Sequence, residues 1–228
     1  MDCVIVGIYA RNMLGAGAAD IDTASKGHLA ALVKSGDISS APGRCTILTA
    51  VPGVRGKRVA VVGLGKFSEI NTTTYKKAVA AAIAALDGSK TKTILNTLTL
   101  EPVGGTSPYY LARHSVEALG DTLYRFTEMK SGRKKKPMPL SSYGHSIAKR
   151  GDAAKTARGA EHGDGIANGV RLAKDLGNLP ANVCTPSYLA RVAKKLATGN
   201  GKLTTKVLNE AEMKRLGMGS LLSVTAGT

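Results

Sequence analysis

The chain has no tryptophan and only 4% aromatic residues, yet 43% of its 228 residues are hydrophobic. The apolar material is therefore mainly aliphatic, enough at this length for one core and part of a second. Cysteine is scarce too. Cys3, Cys45 and Cys184 are an odd number at wide spacings, with no CxxC pair and no Cys/His cluster, which excludes a disulfide framework and a zinc finger. His28, His114, His145 and His162 fall in unrelated segments without HExxH-type spacing, so no metal motif is present. No apolar run approaches the roughly 20 residues that span a bilayer, and the opening "MDCVIVGIYARN" lacks the basic n-region of a secretory signal. These absences point to a reduced, cytoplasmic protein with no membrane partner.

Acidic residues are the other shortage: 16 Asp and Glu face 32 Lys and Arg, a formal charge of +16. Such an excess attracts polyanions. Half of it lies between Arg125 and Arg158, where ten basic residues meet only Glu128 and Asp152.

What is present reads as alternating strands and helices. "CVIVGIY" (3–9) has strand character, and 22–37 offers Asp22 or Thr23 as a cap, Leu29, Leu32 and Val33 on one face, and Gly36 as a stop. Two strands, 44–50 and 57–65, flank the turn "VPGVRG" and form a hairpin. A helix after Asn71 carries Tyr75, Val79, Ala82, Ile83 and Leu86 at helical spacing. A strand follows at 91–100, then a helix from Pro108 with Leu111, Val116, Leu119, Leu123 and Phe126. The segment 130–146 is a charged, Pro- and Gly-containing loop with a short edge strand around 139–147, which places a domain boundary near residue 150. Beyond it, 152–180 reads as a long helix interrupted by glycines that permit close packing. The last part, 203–227, reads as the β-α-β start of a second sheet whose uncovered edge and apolar faces predict poor solubility in isolation.

Three stretches are candidates for function. "GLGK" (63–66) follows a strand and precedes a helix, but Ser68 replaces the last glycine of a dinucleotide fingerprint. Ala60 and Phe67 likewise break a phosphate-loop pattern, so a plain turn is the better reading. "GRKKK" (132–136) places Arg133, Lys134, Lys135 and Lys136 in a loop that would bind DNA or another polyanion through phosphates, with strong salt dependence; the alternative is a solvated loop. "DLGNLPANVCTPSYLARVAKKLA" begins at Asp175. Its polar residues Asp175, Asn178, Asn182, Cys184 and Thr185 have no evident base among them, and Pro180 and Pro186 bracket a turn before a helix capped near Thr185 or Ser187.

The stretches "AKDLGNLPANVCTPSYLARVAKKLA" (173–197) and "VLNEAEMKRLGMGSLLSVTAGT" (207–228), with "RVAVVGLGK" (58–66) before them, resemble the leucyl (cytosol) aminopeptidase family. The resemblance implies an α/β fold in two parts. Residues 1–150 are a macro-like N-terminal α/β domain, and 151–228 are a connecting helix and the incomplete start of an α/β zinc-peptidase-like catalytic domain. It implies a two-metal exopeptidase that hydrolyses N-terminal residues from peptide substrates with two divalent ions, manganese or zinc, and assembles as a homo-hexamer. A lysine assists in that family, and an arginine lies beside a bound bicarbonate. Those groups lie in motifs after the "SVTAGT" region, so no catalytic or metal residue carries over to positions 1–228. The expectation is that this stretch alone holds no metal cofactor and is inactive. The competing reading is a binding module whose basic loop contacts DNA.

Overall fold

The apolar run Cys3–Tyr9 (β1) takes the centre of a six-stranded sheet because both of its faces are covered. The computed structural model describes residues 1–129, 131 and 137–225. After β1 come Met13–Leu14 (β2), Ala16–Ala24 (α1), His28–Ser35 (α2), Cys45–Thr49 (β3), Arg58–Gly65 (β4), Thr72–Leu86 (α3), Thr93–Asn96 (β5) and Pro108–Leu123 (α4). Ser142–His145 (β6), Ala153–Asn178 (α5), Pro186–Thr198 (α6), Glu210–Arg215 (α7) and Gly219–Thr225 (α8) complete the order. The sheet runs β3-β4-β1-β5-β6, with β4, β1, β5 and β6 parallel and β3 antiparallel on one edge. The two-residue β2 pairs with the end of β1, beyond the point where β5 stops.

Strands buried on both faces read as continuous apolar runs, and β1 and β4 sort their residues by parity. Ile5, Tyr9, Val62 and Leu64 face α3 and α4, where Tyr75, Val79, Ile83 and Leu111 meet them; the Tyr75 hydroxyl donates to the Leu111 carbonyl at 2.9 Å. Val6, Ile8, Val59 and Val61 face the other way, onto Ala18, Leu29 and Val33 of α1 and α2. Each such fully buried Ile or Leu contributes about 2 kcal/mol relative to exposure. Helices on both faces of a mostly parallel sheet give the expected α/β architecture.

The hairpin reading holds: β3 and β4 pair antiparallel from Cys45 opposite Val62 to Thr49 opposite Arg58. Its turn needs Gly53, at φ 72°, because a Cβ there would lie 2.0 Å from the Ala24 carbonyl oxygen. Where one helix is expected over 22–37, the chain forms two. Lys26 and Gly27 both take positive φ, 54° and 85°, and break the helix. Asp22 then spans the break by accepting from the Ala30 amide at 2.8 Å.

The described residues cluster into two compact units, Met1–Asp175 and Leu176–Thr228. In the second, Thr185 caps α6, and Asn209 with Glu212 forms a capping box on α7. The β-α-β reading of 203–227 fails at both strands: 203–209 has no regular structure, and α8 is helical. A strand needs a neighbour for its backbone groups, and the described part of this unit contains no strand. A helix satisfies those groups internally.

Candidate functional site

The glycine turn at 63–66 is committed to the protein's own backbone. The Gly63 amide donates to the Arg44 carbonyl at 2.8 Å and the Gly65 amide to that of Ser40 at 3.0 Å. A Cβ at Gly63 would lie 2.2 Å from the Ala41 oxygen. These glycines let the 40–44 segment approach. Lys66 pairs with Glu69 at 2.7 Å on the surface. The turn has no array of free amides for a phosphate, in line with the plain-turn reading.

At the same end of the sheet lies a buried carboxylate that sequence reasoning missed. Glu101 is 4% exposed; its Oε2 accepts from the Tyr9 hydroxyl at 2.8 Å and its Oε1 from the Ala16 amide at 3.0 Å. It therefore fills the N-terminus of α1 with negative charge, a favourable place for an anion. Burial raises its pKa above the usual carboxylate value, against the two hydrogen bonds. The same burial, with Glu101 alongside, raises the Tyr9 phenol.

A second buried polar cluster joins β5, α4 and β6. Ser115 Oγ lies 3.0 Å from Asn96 Nδ2, 2.6 Å from the Tyr143 hydroxyl and 3.1 Å from His145 Nε2. A serine beside an imidazole resembles an activated nucleophile, but Ser115 is fully buried and no substrate reaches it. Desolvation pushes His145 down to about 4, so the ring stays neutral and serves as a hydrogen-bond partner. This cluster fastens the edge strand to α4.

The signature stretch from Asp175 is built from turns and caps. The Val183 and Cys184 amides both donate to the Pro180 carbonyl at 2.9 Å, and Thr185 Oγ1 accepts from Tyr188 N at 3.3 Å, with Pro186 at the first helical position. Asp175 accepts from the Tyr124 hydroxyl at 3.0 Å. Asn182 is exposed and makes no side-chain hydrogen bond to a described residue. The acidic residues that follow are spent locally: Glu210 pairs with Lys214 at 3.0 Å and Glu212 caps α7. Among the described residues no three His, Cys, Asp or Glu side chains converge as a metal site would need. Arg133, Lys134, Lys135 and Lys136 lie outside the described residues.

Two family models match the chain. Residues 5–133 match the cytosol aminopeptidase family's N-terminal domain, and residues 171–228 match that family's catalytic domain. The chain belongs to the cytosol aminopeptidase family. It is 40% identical over 227 residues to a probable cytosol aminopeptidase of Paraburkholderia phytofirmans, covering 100% of this chain and 44% of that protein. To a protein of the same name from Vibrio parahaemolyticus it is 36% identical over 226 residues, covering 99% of this chain and 45% of the other. The chain thus spans under half the length of these family members. Among solved structures, a tomato leucine aminopeptidase mutant superposes with a TM-score of 0.77 over 95% of this chain and 43% of its own, at 24% identity. The bottromycin maturation enzyme BotP superposes with a TM-score of 0.71 over 95% of this chain and 41% of its own, also at 24% identity. At that identity the two likenesses establish the family's fold and nothing finer. No helix among the described residues is long and apolar enough to cross a membrane.

Proposed function

We propose that these 228 residues are the N-terminal portion of a cytoplasmic, metal-dependent leucyl aminopeptidase that removes N-terminal residues from peptides. The observation that carries this reading is the order of the two family matches, N-terminal domain then the beginning of the catalytic domain, in relatives more than twice as long. In the complete protein two divalent ions, manganese or zinc, would activate water and stabilise the developing oxyanion. BotP, a structural neighbour at 25% identity, is known in complex with Mn. The ligands for those ions lie outside these 228 residues. What the chain itself supplies is a folded N-terminal unit and the first residues of the catalytic domain, with their capped turn. The complete protein assembles as a homo-hexamer, and the 228 residues alone are inactive.

The test joins this chain to the remainder of the Paraburkholderia phytofirmans protein. The chimera is expected to hydrolyse leucine p-nitroanilide when manganese or zinc is supplied, and the 228 residues alone are not. Metal-dependent hydrolysis by the unjoined chain refutes this division of labour.

A second reading makes the basic region around 125–158 a DNA-binding surface. It is supported by Lys149, Arg150, Lys155 and Arg158, which are exposed and make no ion pair with a described residue. With Arg133, Lys134, Lys135 and Lys136 they form a strongly cationic segment suited to phosphate binding.

A further inference from the structure

Within the first unit, the outer faces of α3, α4 and α5 close on one another only along part of their length. α5 meets α4 tightly at Gly159 and Gly163, where a Cβ would lie 2.1 Å from the Tyr109 oxygen and 2.7 Å from that of Arg113. Farther along α5 the three helices enclose a cleft of about 430 Å³. Ile166 and Val170 of α5 line it and remain 38% and 44% exposed, an apolar wall open to solvent.

The cleft's charge is unbalanced. Lys76, Lys77, Arg171 and Lys174 line it against Glu117 and Asp121. Lys76 pairs with Glu117 at 3.3 Å, and Lys174 pairs with Asp121 while lying 5.1 Å over the Tyr124 ring. Lys77, on α3, and Arg171, on α5, make no ion pair with a described residue. Two uncompensated cations thus stand on opposite walls of an apolar cleft.

We propose that this cleft binds a small amphiphilic anion: a carboxylate or sulfonate headgroup held by Lys77 and Arg171, on an aliphatic or aromatic body that covers Ile166 and Val170. The volume falls within the range of small-molecule pockets, and apolar walls with a few polar anchors are their usual composition. A neutral apolar ligand leaves the two cations without a partner, and a cationic one is repelled. A symmetric contact with a second copy is disfavoured, because an isologous interface brings the same uncompensated cations face to face. The inference stands independently of the aminopeptidase reading.

The test uses the full 228-residue chain with 8-anilinonaphthalene-1-sulfonate as the probe, followed by fluorescence, and decanoate and decyltrimethylammonium as competitors. Decanoate is expected to displace the probe and decyltrimethylammonium is not. The Lys77→Gln/Arg171→Gln double variant, altered only at exposed positions, is expected to weaken binding about tenfold or more, since two charge-assisted hydrogen bonds are removed. Val170→Glu is expected to abolish displaceable binding, whereas Leu196→Gln, in the second unit, leaves it unchanged. Equal competition by the cation, or equal affinity in the Lys77→Gln/Arg171→Gln protein, overturns the proposal. So does self-association in sedimentation that Val170→Glu abolishes, which would make a second copy the occupant.

Discussion

The glycines of α5 offer a test in which one substitution, on one helix, is expected to change sign with position. Alanine is favoured over glycine in a helix interior by about 1 kcal/mol. At Gly165 and Gly169 an added Cβ meets nothing within 4 Å, so that preference is realised in full. Gly165→Ala and Gly169→Ala are each expected to stabilise the protein by about 0.5–1 kcal/mol. At Gly159 the same methyl would sit 2.1 Å from the Tyr109 carbonyl oxygen and 3.0 Å from its Cα. That obstacle is backbone at the start of α4 and has no rotamer to change, so α4 and α5 must separate. Overpacking of this kind costs roughly 1–3 kcal/mol, which outweighs the helical preference. Gly163→Ala meets the Arg113 oxygen at 2.7 Å and Val116 Cβ at 2.9 Å and is expected to lose stability as well. Guanidinium unfolding of the four variants, followed by circular dichroism, reads the midpoints directly. If all four shift in the same direction, the close approach of α4 and α5 is wrong. If Gly159→Ala alone stabilises, the packing of α5 on Tyr109 is wrong.

Two other outcomes follow from the charges. His145 sits at about 4 in the folded protein through burial, against an ordinary value of 6.5. Between those values the unfolded chain takes up a proton that the folded chain refuses, so stability falls as pH drops from about 6.5 towards 4. The full shift corresponds to at most about 3 kcal/mol, and partial exposure of the ring reduces the expected loss to about 2 kcal/mol. In His145→Gln this part of the pH dependence should vanish; an unchanged profile assigns it to another group. For the basic run, replacing Arg133, Lys134, Lys135 and Lys136 with Ser is expected to flatten the log–log salt dependence of duplex DNA binding by about 0.9 for each phosphate no longer neutralised. Fluorescence anisotropy across a salt series checks it, and equal slopes in both proteins place the DNA-binding surface elsewhere.

Patterns that depend on neighbours in sequence were legible from the sequence. β1, the β3–β4 hairpin, α3 with Asn71 as its cap, and α4 with Pro108 at its start all follow from periodicity and capping chemistry. Three features that depend on distant partners were not. The break between α1 and α2 needs the positive φ of Lys26, a residue with no preference for it. Glu101 is one acid among sixteen until the fold brings Tyr9 and the start of α1 to it. The region 203–227 carries apolar residues that read as strands, yet pairing is a property of the partner, and the described part of that unit has none. The cleft was equally hidden, because Lys77 and Arg171 are 94 positions apart and ordinary surface residues in their own helices.

The scarcity of acid leaves the stretch from Asp175 with few groups for chemistry, since only Glu210 and Glu212 follow it. A two-metal centre needs several carboxylates free to converge on the ions. In this chain most acids already have partners. Asp2 bonds Lys57 and the Lys92 and Thr93 amides, which hold its carboxyl well below the usual range. Glu117 is shared among Arg113, His114 and Lys76, and the Arg113 and His114 hydrogen bonds outweigh burial to lower its pKa. Asp87 meets Arg125, Asp121 meets Lys174, and Asp175 receives Tyr124. Moving any one of these onto a metal would break the ion pair or hydrogen bond it makes here, and Glu101 would leave behind a buried phenol and a helix amide. The turn at 180–186 meets the opposite requirement. It must end α5 and start α6, and prolines, a threonine cap and backbone hydrogen bonds do that without charge. The turn therefore fixes the path of the chain through backbone hydrogen bonds and one side-chain cap, and needs no charged residue to do so.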